Sequence, residues 1–188
     1  VGHFLKNVIR FNPKKVTGID ISEVSIQKAK DAIQNLKSQA ELMVDNCEKT
    51  KFKSESFDIV YGSGILHHLD MTACINEIHR ILKPGGKFLF IEPLGTNPFI
   101  NFYRKLTPNS RSKDEHPLIN QDFDLIEGKF KKTKIKYYGF LTLFFFPFYL
   151  SPKNSIVFKL LKNCDQFLFK INIFKKLAWS TLIIAEKN

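Results

Sequence analysis

The amino-acid sequence predicts an α/β domain: a mostly parallel sheet, helices on both faces, and a final antiparallel strand. Two observations lead there. From Val1 to Ile91, short apolar runs bounded by turn residues alternate with segments whose apolar positions follow helical spacing. Beyond Glu92 the alternation loosens, and two further strand-like runs follow, the last of them closing the chain. A chain of 188 residues with 44% hydrophobic residues suits one domain with a sizeable core.

The elements follow in order. His3–Phe11 reads as a short helix with Phe4, Leu5, Val8 and Ile9 on one side, closed by Asn12-Pro13. Lys15–Ile21 reads as a strand. Ser22 can cap a helix over Glu23–Lys37, where Val24, Ile26, Ala29, Ile33 and Leu36 roughly keep helical spacing. Glu41–Val44 is a short strand ending at Asp45, and Phe57–Tyr61 a buried one. Asp70 can cap a helix running to Leu82, with Ala73, Ile75, Ile78 and Ile81 turned inwards. Lys83-Pro84-Gly85-Gly86 should stop it, because proline cannot continue a helix and two glycines free the turn. Lys87–Ile91 is the next strand. A helix over Pro98–Leu106, a polar loop over Thr107–Pro117 and a helix over Gln121–Gly128 are expected next. Lys131–Phe140 alternates basic residues with Ile135, Tyr137 and Phe140, as a half-exposed strand does. Leu141–Phe174 should be helical in part, and Trp179–Ala185 should close the sheet.

Charge is uneven along the chain. Residues 1–100 carry 13 basic and 11 acidic side chains, residues 101–188 carry 16 and 7. A basic second half suits an anionic surface, and it equally suits lysines that are simply solvated. The lysines are dispersed between apolar stretches rather than massed, which argues against nucleic acid. Cys47, Cys74 and Cys164 form no CxxC and no metal-ligand cluster, so neither a disulfide framework nor a metal site is expected. That pattern fits a reducing, cytoplasmic setting. His3–Phe11 is too short and too charged for a signal peptide, and Gly139–Leu150 is too short to span a bilayer.

In open α/β sheets, ligands sit beyond the carboxyl ends of the strands. Three such ends stand out: Gly18 to Ser22, Val44 to Cys47, and Tyr61 to Gly64. An acidic residue after the second strand can accept from both hydroxyls of a ribose, and Asp20 lies 18 residues after Gly2. Asp20 is equally well explained as a turn or helix-capping aspartate.

Five pieces in order carry a more specific likeness: Val16 to Ser22, Val44-Asp45-Asn46 through Phe52, Phe57 to Val60, Leu66-His67-His68-Leu69, and Arg80 to Gly86. Together, over about ninety residues, they resemble the class I methyltransferases that use S-adenosyl-L-methionine, in particular the type 11 subgroup. The resemblance implies a Rossmann-like three-layer sandwich, with residues 1–92 as the cofactor-binding half and 93–188 as a substrate-side lid with closing strands. It implies that Asp20 holds the ribose, Ile21 packs on adenine, and Asp45 with the Asn46 backbone meets the adenine amino group. Gly62 and Ser63 would border the methionine part. Gly2 matches the last glycine of the family's Gly-x-Gly-x-Gly loop. The strand and the rest of the loop that precede it in the family are missing here, so a fragment is expected, with two interior sheet edges unpaired.

A sulfonium methyl is already activated, so positioning dominates and a base is needed only for an acceptor with a tightly held proton. His67 or His68 could be that base, and the resemblance equally marks the pair as structural. Glu92, at the end of the fifth strand of the family pattern, could point into the cleft or pair with the Lys83–Lys87 turn. Tyr103, Arg104 and His116 are the candidate substrate contacts, on a stretch that otherwise serves as a surface loop. The Phe-rich pieces Leu141–Leu150 and Lys159–Lys176 read as core, or as a surface lying on a membrane that admits a lipid-like substrate. The expected activity is methyl transfer to a small-molecule or lipid-like acceptor. Two rivals stand beside it: a degenerate, non-catalytic binding module, and a nicotinamide-dependent dehydrogenase that would use Asp20 equally well.

Overall fold

The computed structural model describes residues 5, 8–33, 40–107, 115–144 and 155–188. The chain forms two compact units, Val1–Lys53 and Ser54–Asn188.

In the first unit, strand β1 (Val16–Asp20) leads through helix α1 (Glu23–Ile33) to strand β2 (Ala40–Val44). The strands pair in parallel, from Val16 opposite Ala40 to Asp20 opposite Val44. A parallel pair needs a crossover, and α1 supplies it, burying Ile26, Ala29 and Ile33. Ser22 caps it as expected, its Oγ accepting the Ser25 N–H at 3.2 Å. Of the helix expected over His3–Phe11, Leu5, Val8 and Ile9 are helical, and the chain turns at Arg10-Phe11. Its remaining residues, and residues 34–37 of the expected Glu23–Lys37 helix, lie outside the described residues.

The second unit runs β3 (Phe57–Ser63), a 3-10 turn (Leu66–His68), α2 (Met71–Ile81), β4 (Leu82–Pro93), α3 (Pro98–Leu106) and α4 (Asn120–Lys129). It continues with β5 (Lys132–Tyr138), α5 (Leu141–Phe144), α6 (Ile156–Leu168), α7 (Asn172–Lys175) and β6 (Ser180–Glu186). The strand order is β3-β4-β6-β5, with β3 and β4 parallel and β6 antiparallel to both neighbours. The closing strand thus inserts between β4 and β5, giving a mixed α/β sheet.

Lys83-Pro84-Gly85-Gly86 behaves differently from the plain turn expected. Strand β4 already begins at Leu82, opposite Phe57, and the register then jumps to Lys87 opposite Ile59. The four residues bulge out opposite Asp58. Gly85 takes φ +75°, a left-handed backbone that favours glycine. The bulge is useful: Lys83 reaches Asp58 at 2.9 Å, and Gly85 and Gly86 exchange backbone hydrogen bonds with Lys187 just past β6.

The core lies on one face of this sheet. Ile75 and Ile78 of α2, with Phe123 and Ile126 of α4, pack in one cluster with Phe88, Phe90, Ile183 and Ala185. Along β4 the inward positions are Phe88, Phe90 and Glu92, two residues apart, as strand geometry requires. Helix α2 starts on Asp70, whose carboxylate accepts the Ala73 N–H at 2.9 Å. Removing that cap in Asp70→Ala should cost about 1 kcal/mol, read as a lower urea midpoint at unchanged m-value.

Candidate active site

Two places collect the residues that the sequence singled out, one in each unit. In the first unit, Asp20 and Asp45 stand at the carboxyl ends of adjacent parallel strands, and the Asp45 N–H donates to the Asp20 carbonyl at 3.2 Å. One Asp20 oxygen, Oδ1, accepts the Ser22 N–H at 2.9 Å, which fixes the side chain in the turn before α1. Among the described residues its other oxygen accepts no hydrogen bond, and Asp20 serves as a turn aspartate. Asp45 is more committed. It is buried, with Oδ1 accepting from the Asn46 N–H and Oδ2 from the Lys51 N–H, so it organises the loop that follows β2. Each of its oxygens retains a second lone pair, enough for one amino group. The Asn46 side chain accepts the Glu48 N–H at 2.9 Å. Ile21 is 74% exposed, an apolar side chain standing beside Asp20 and available to an aromatic base. Gly2 lies outside the described residues.

In the second unit, β3 ends at Gly62-Ser63 and the chain turns at Gly64, whose N–H donates to the Ile91 carbonyl at 2.8 Å. A Cβ at Gly62 would run into the Phe90 ring, so packing alone already demands glycine there. Burial pushes the Tyr61 phenol above its usual value.

Glu92 is the centre of this place. It is 1% exposed, and Oε1 accepts the N–H groups of Ile65 at 3.0 Å and Leu66 at 3.1 Å. Its Oε2 lies 2.8 Å from Nδ1 of His67. An ionised carboxylate only accepts, so Nδ1 is the donor in this contact. The two groups form a buried carboxylate–imidazole pair at the end of β4. His68 is exposed, its ring 4.1 Å from that of His67. His116 joins from the chain after α3: its N–H donates to the His67 carbonyl at 2.6 Å, and its Nε2 lies 3.4 Å from Asp122. Arg104 reaches the Leu94 carbonyl and Asn101 Oδ1, both at 3.1 Å, so its guanidinium braces the stretch after β4. Tyr103 stands 55% exposed on α3.

Residues 1–90 match the family model described as a methyltransferase domain. Over those residues, a little under half of the chain, it resembles the class I, type 11 methyltransferase family. Within that family it is similar to the sterol 4-C-methyltransferase of Caenorhabditis elegans, 28% identical over 102 residues, which cover 53% of this chain and 30% of that protein. It is likewise similar to the demethylmenaquinone methyltransferase of Lactococcus lactis, 33% identical over 93 residues, covering 48% and 36%. The chain therefore spans about a third of the length of these curated relatives. A likeness of fold extends further. The geranyl diphosphate C-methyltransferase of Streptomyces coelicolor, crystallised with S-adenosyl-L-homocysteine, superposes with a TM-score of 0.70 at 14% identity, over 100% of this chain and 67% of that one. That agreement supports the Rossmann-like α/β fold.

The pairing of His67 with Glu92 escaped the sequence, which offered His67, His68 and Glu92 as separate candidates. The signal was present in the strand period: Glu92 follows Phe88 and Phe90 at spacing two, and must therefore point into the core, where a carboxylate needs donors.

Proposed function

We propose that this protein transfers a methyl group from S-adenosyl-L-methionine to a small, lipid-like acceptor. The observation that carries this reading is the placing of Asp20 and Asp45 side by side at the carboxyl ends of two parallel strands. When bound, the cofactor supplies an electrophilic sulfonium methyl. Asp20 accepts from its ribose, Asp45 and the Asn46 backbone meet its adenine, and Ile21 packs on the base. The relatives' names specify a sterol, a demethylmenaquinone and geranyl diphosphate, and the common chemistry carried over here is a small molecule with a large hydrocarbon part.

His67, rather than His68, is the base for an acceptor that must lose a proton. Glu92 acts through it as a positioning residue, holding Nδ1–H so that Nε2 is free to accept. Tyr103 and His116 contact the acceptor, while Arg104 holds the backbone that carries them. The protein should move a tritiated methyl from the cofactor into solvent-extractable lipid. His67→Asn should slow that transfer about 10²–10⁴-fold, with KM for the cofactor unchanged. A folded protein that binds S-adenosylhomocysteine and transfers no label would reject the activity and favour the binding-module rival. Transfer at the wild-type rate by His67→Asn would reject the base.

A further inference from the structure

Two helices of the second unit turn apolar side chains to solvent in an ordered way. On α3, Phe99, Phe102, Tyr103 and Leu106 are 55–66% exposed, while Ile100 faces inwards. The spacing i, i+3, i+4, i+7 makes them one stripe. On α6 and the turn after it, Ile156, Leu160, Phe167 and Ile171 are 50–74% exposed and follow the same helical period. The inward side of α6 is held elsewhere, by buried Asp165, whose carboxylate binds the backbone of Phe140 and Leu141. The exposed side of α6 carries these apolar residues together with Lys159, Lys162, Asn163 and Gln166.

The start of α3 is tied to the segment that follows α7. Thr96 and Asn97, at the start of α3, donate side-chain hydrogen bonds to the carbonyls of Lys176 and Leu177, just after α7. A shallow apolar depression lined by Leu141, Cys164, Phe167 and Leu168 opens beside the second stripe. Solitary exposed apolar residues are ordinary, but stripes of four at helical spacing are not.

Charge identifies what covers it. In residues 96–107 and 155–179 the cations are Arg104, Lys105, Lys159, Lys162, Lys170, Lys175 and Lys176, and the one acid is Asp165, which is 2% exposed. Every exposed charge within these two segments is therefore positive. Lys170 lies over the Phe167 ring at 5.7 Å, so cation and apolar anchor share one place. A second copy of the chain would bring this cationic rim against itself. Nucleic acid would leave the aliphatic Ile and Leu without a partner. An anionic bilayer satisfies both features at once, taking the apolar stripe below its headgroups and the lysines at its surface.

We infer that the exposed faces of α3 and α6, with their lysine rim, dock this protein on an anionic phospholipid membrane. Docking needs no methyl donor, so it is tested apart from catalysis. The protein should float with vesicles of phosphatidylcholine containing about a third phosphatidylserine at low salt, and much less with phosphatidylcholine alone. Leu160→Gln with Phe167→Gln should weaken partitioning about tenfold or more. Lys159→Gln with Lys170→Gln should weaken it about tenfold at low salt and little at 1 M salt. All four positions are exposed, so circular dichroism should show the fold intact. A protein that stays unbound with anionic vesicles overturns the inference. So does binding that ignores both pairs of substitutions, or a dimer in sedimentation that Phe167→Gln dissociates while vesicles remain unbound.

Discussion

Glu92→Leu should lower the unfolding free energy by about 3–5 kcal/mol. The carboxylate is 1% exposed and serves three donors: the N–H groups of Ile65 and Leu66 and Nδ1 of His67. A leucine of similar size fills the space and satisfies none of them. Each orphaned donor keeps the cost of having left water, and the strand end offers no substitute acceptor. Glu92→Gln separates stability from function. Its one carbonyl oxygen can still accept from the backbone pair, so a smaller loss of about 1–2 kcal/mol is expected. Its amide nitrogen then faces His67 as a donor, which pushes the imidazole proton from Nδ1 to Nε2. The stability change is read from urea unfolding, and the tautomer from the ring ¹⁵N shifts of His67. Unfolding of Glu92→Leu at the wild-type midpoint would show that these contacts do not hold the β4 end.

The second large effect is expected at Asp165. It lies on α6 and is 2% exposed. Its Oδ1 accepts the Leu141 N–H at 2.7 Å, and its Oδ2 accepts from Phe140 N–H, Thr142 N–H and the Thr142 hydroxyl at 3.2, 3.3 and 2.7 Å. These are the donors at the start of α5, which nothing within so short a helix can satisfy. One carboxylate thus fastens α6 to the segment leaving β5. Asp165→Ala should cost about 3 kcal/mol and speed amide exchange at Phe140, Leu141 and Thr142 ahead of the core strands. Asp165→Asn keeps one acceptor and should lose about half as much. Uniform acceleration across the sheet, with no local opening first, would argue that Asp165 acts on global packing instead.

These two carboxylates show what a linear reading reaches and where it stops. Strand and helix positions were legible because apolar spacing is local: α3 runs over Pro98–Leu106 as its proline start and periodic Ile100 require, and α2 begins on Asp70. Strand order was less so. That β6 inserts between β4 and β5 depends on non-local pairing, which no residue pattern encodes directly. The Lys83–Gly86 segment was read as a turn and bulges within one strand, because backbone hydrogen bonds to Lys187 hold it there. In the candidate site, Asp20 was visible by its distance from Gly2 and its place after β1. The partners of Glu92 and Asp165 lie more than twenty residues away, at His67 and Leu141, so their roles emerge with the fold. Arg104, taken from sequence as a substrate contact, turns to the Leu94 carbonyl, an acceptor that only the folded chain brings near.

One titration bears most directly on the central reading, that the acids ending β1 and β2 bind an adenosyl group. S-adenosylhomocysteine is titrated by isothermal calorimetry into the wild-type protein and into Asp20→Ala. Saturable one-to-one binding is expected for the wild type, weakened about 10–100-fold in the variant, since a charge-assisted hydrogen bond is worth about 1.5–3 kcal/mol. No heat from a folded wild type, equal affinity in the two proteins, or saturation by NAD in its place would contradict it.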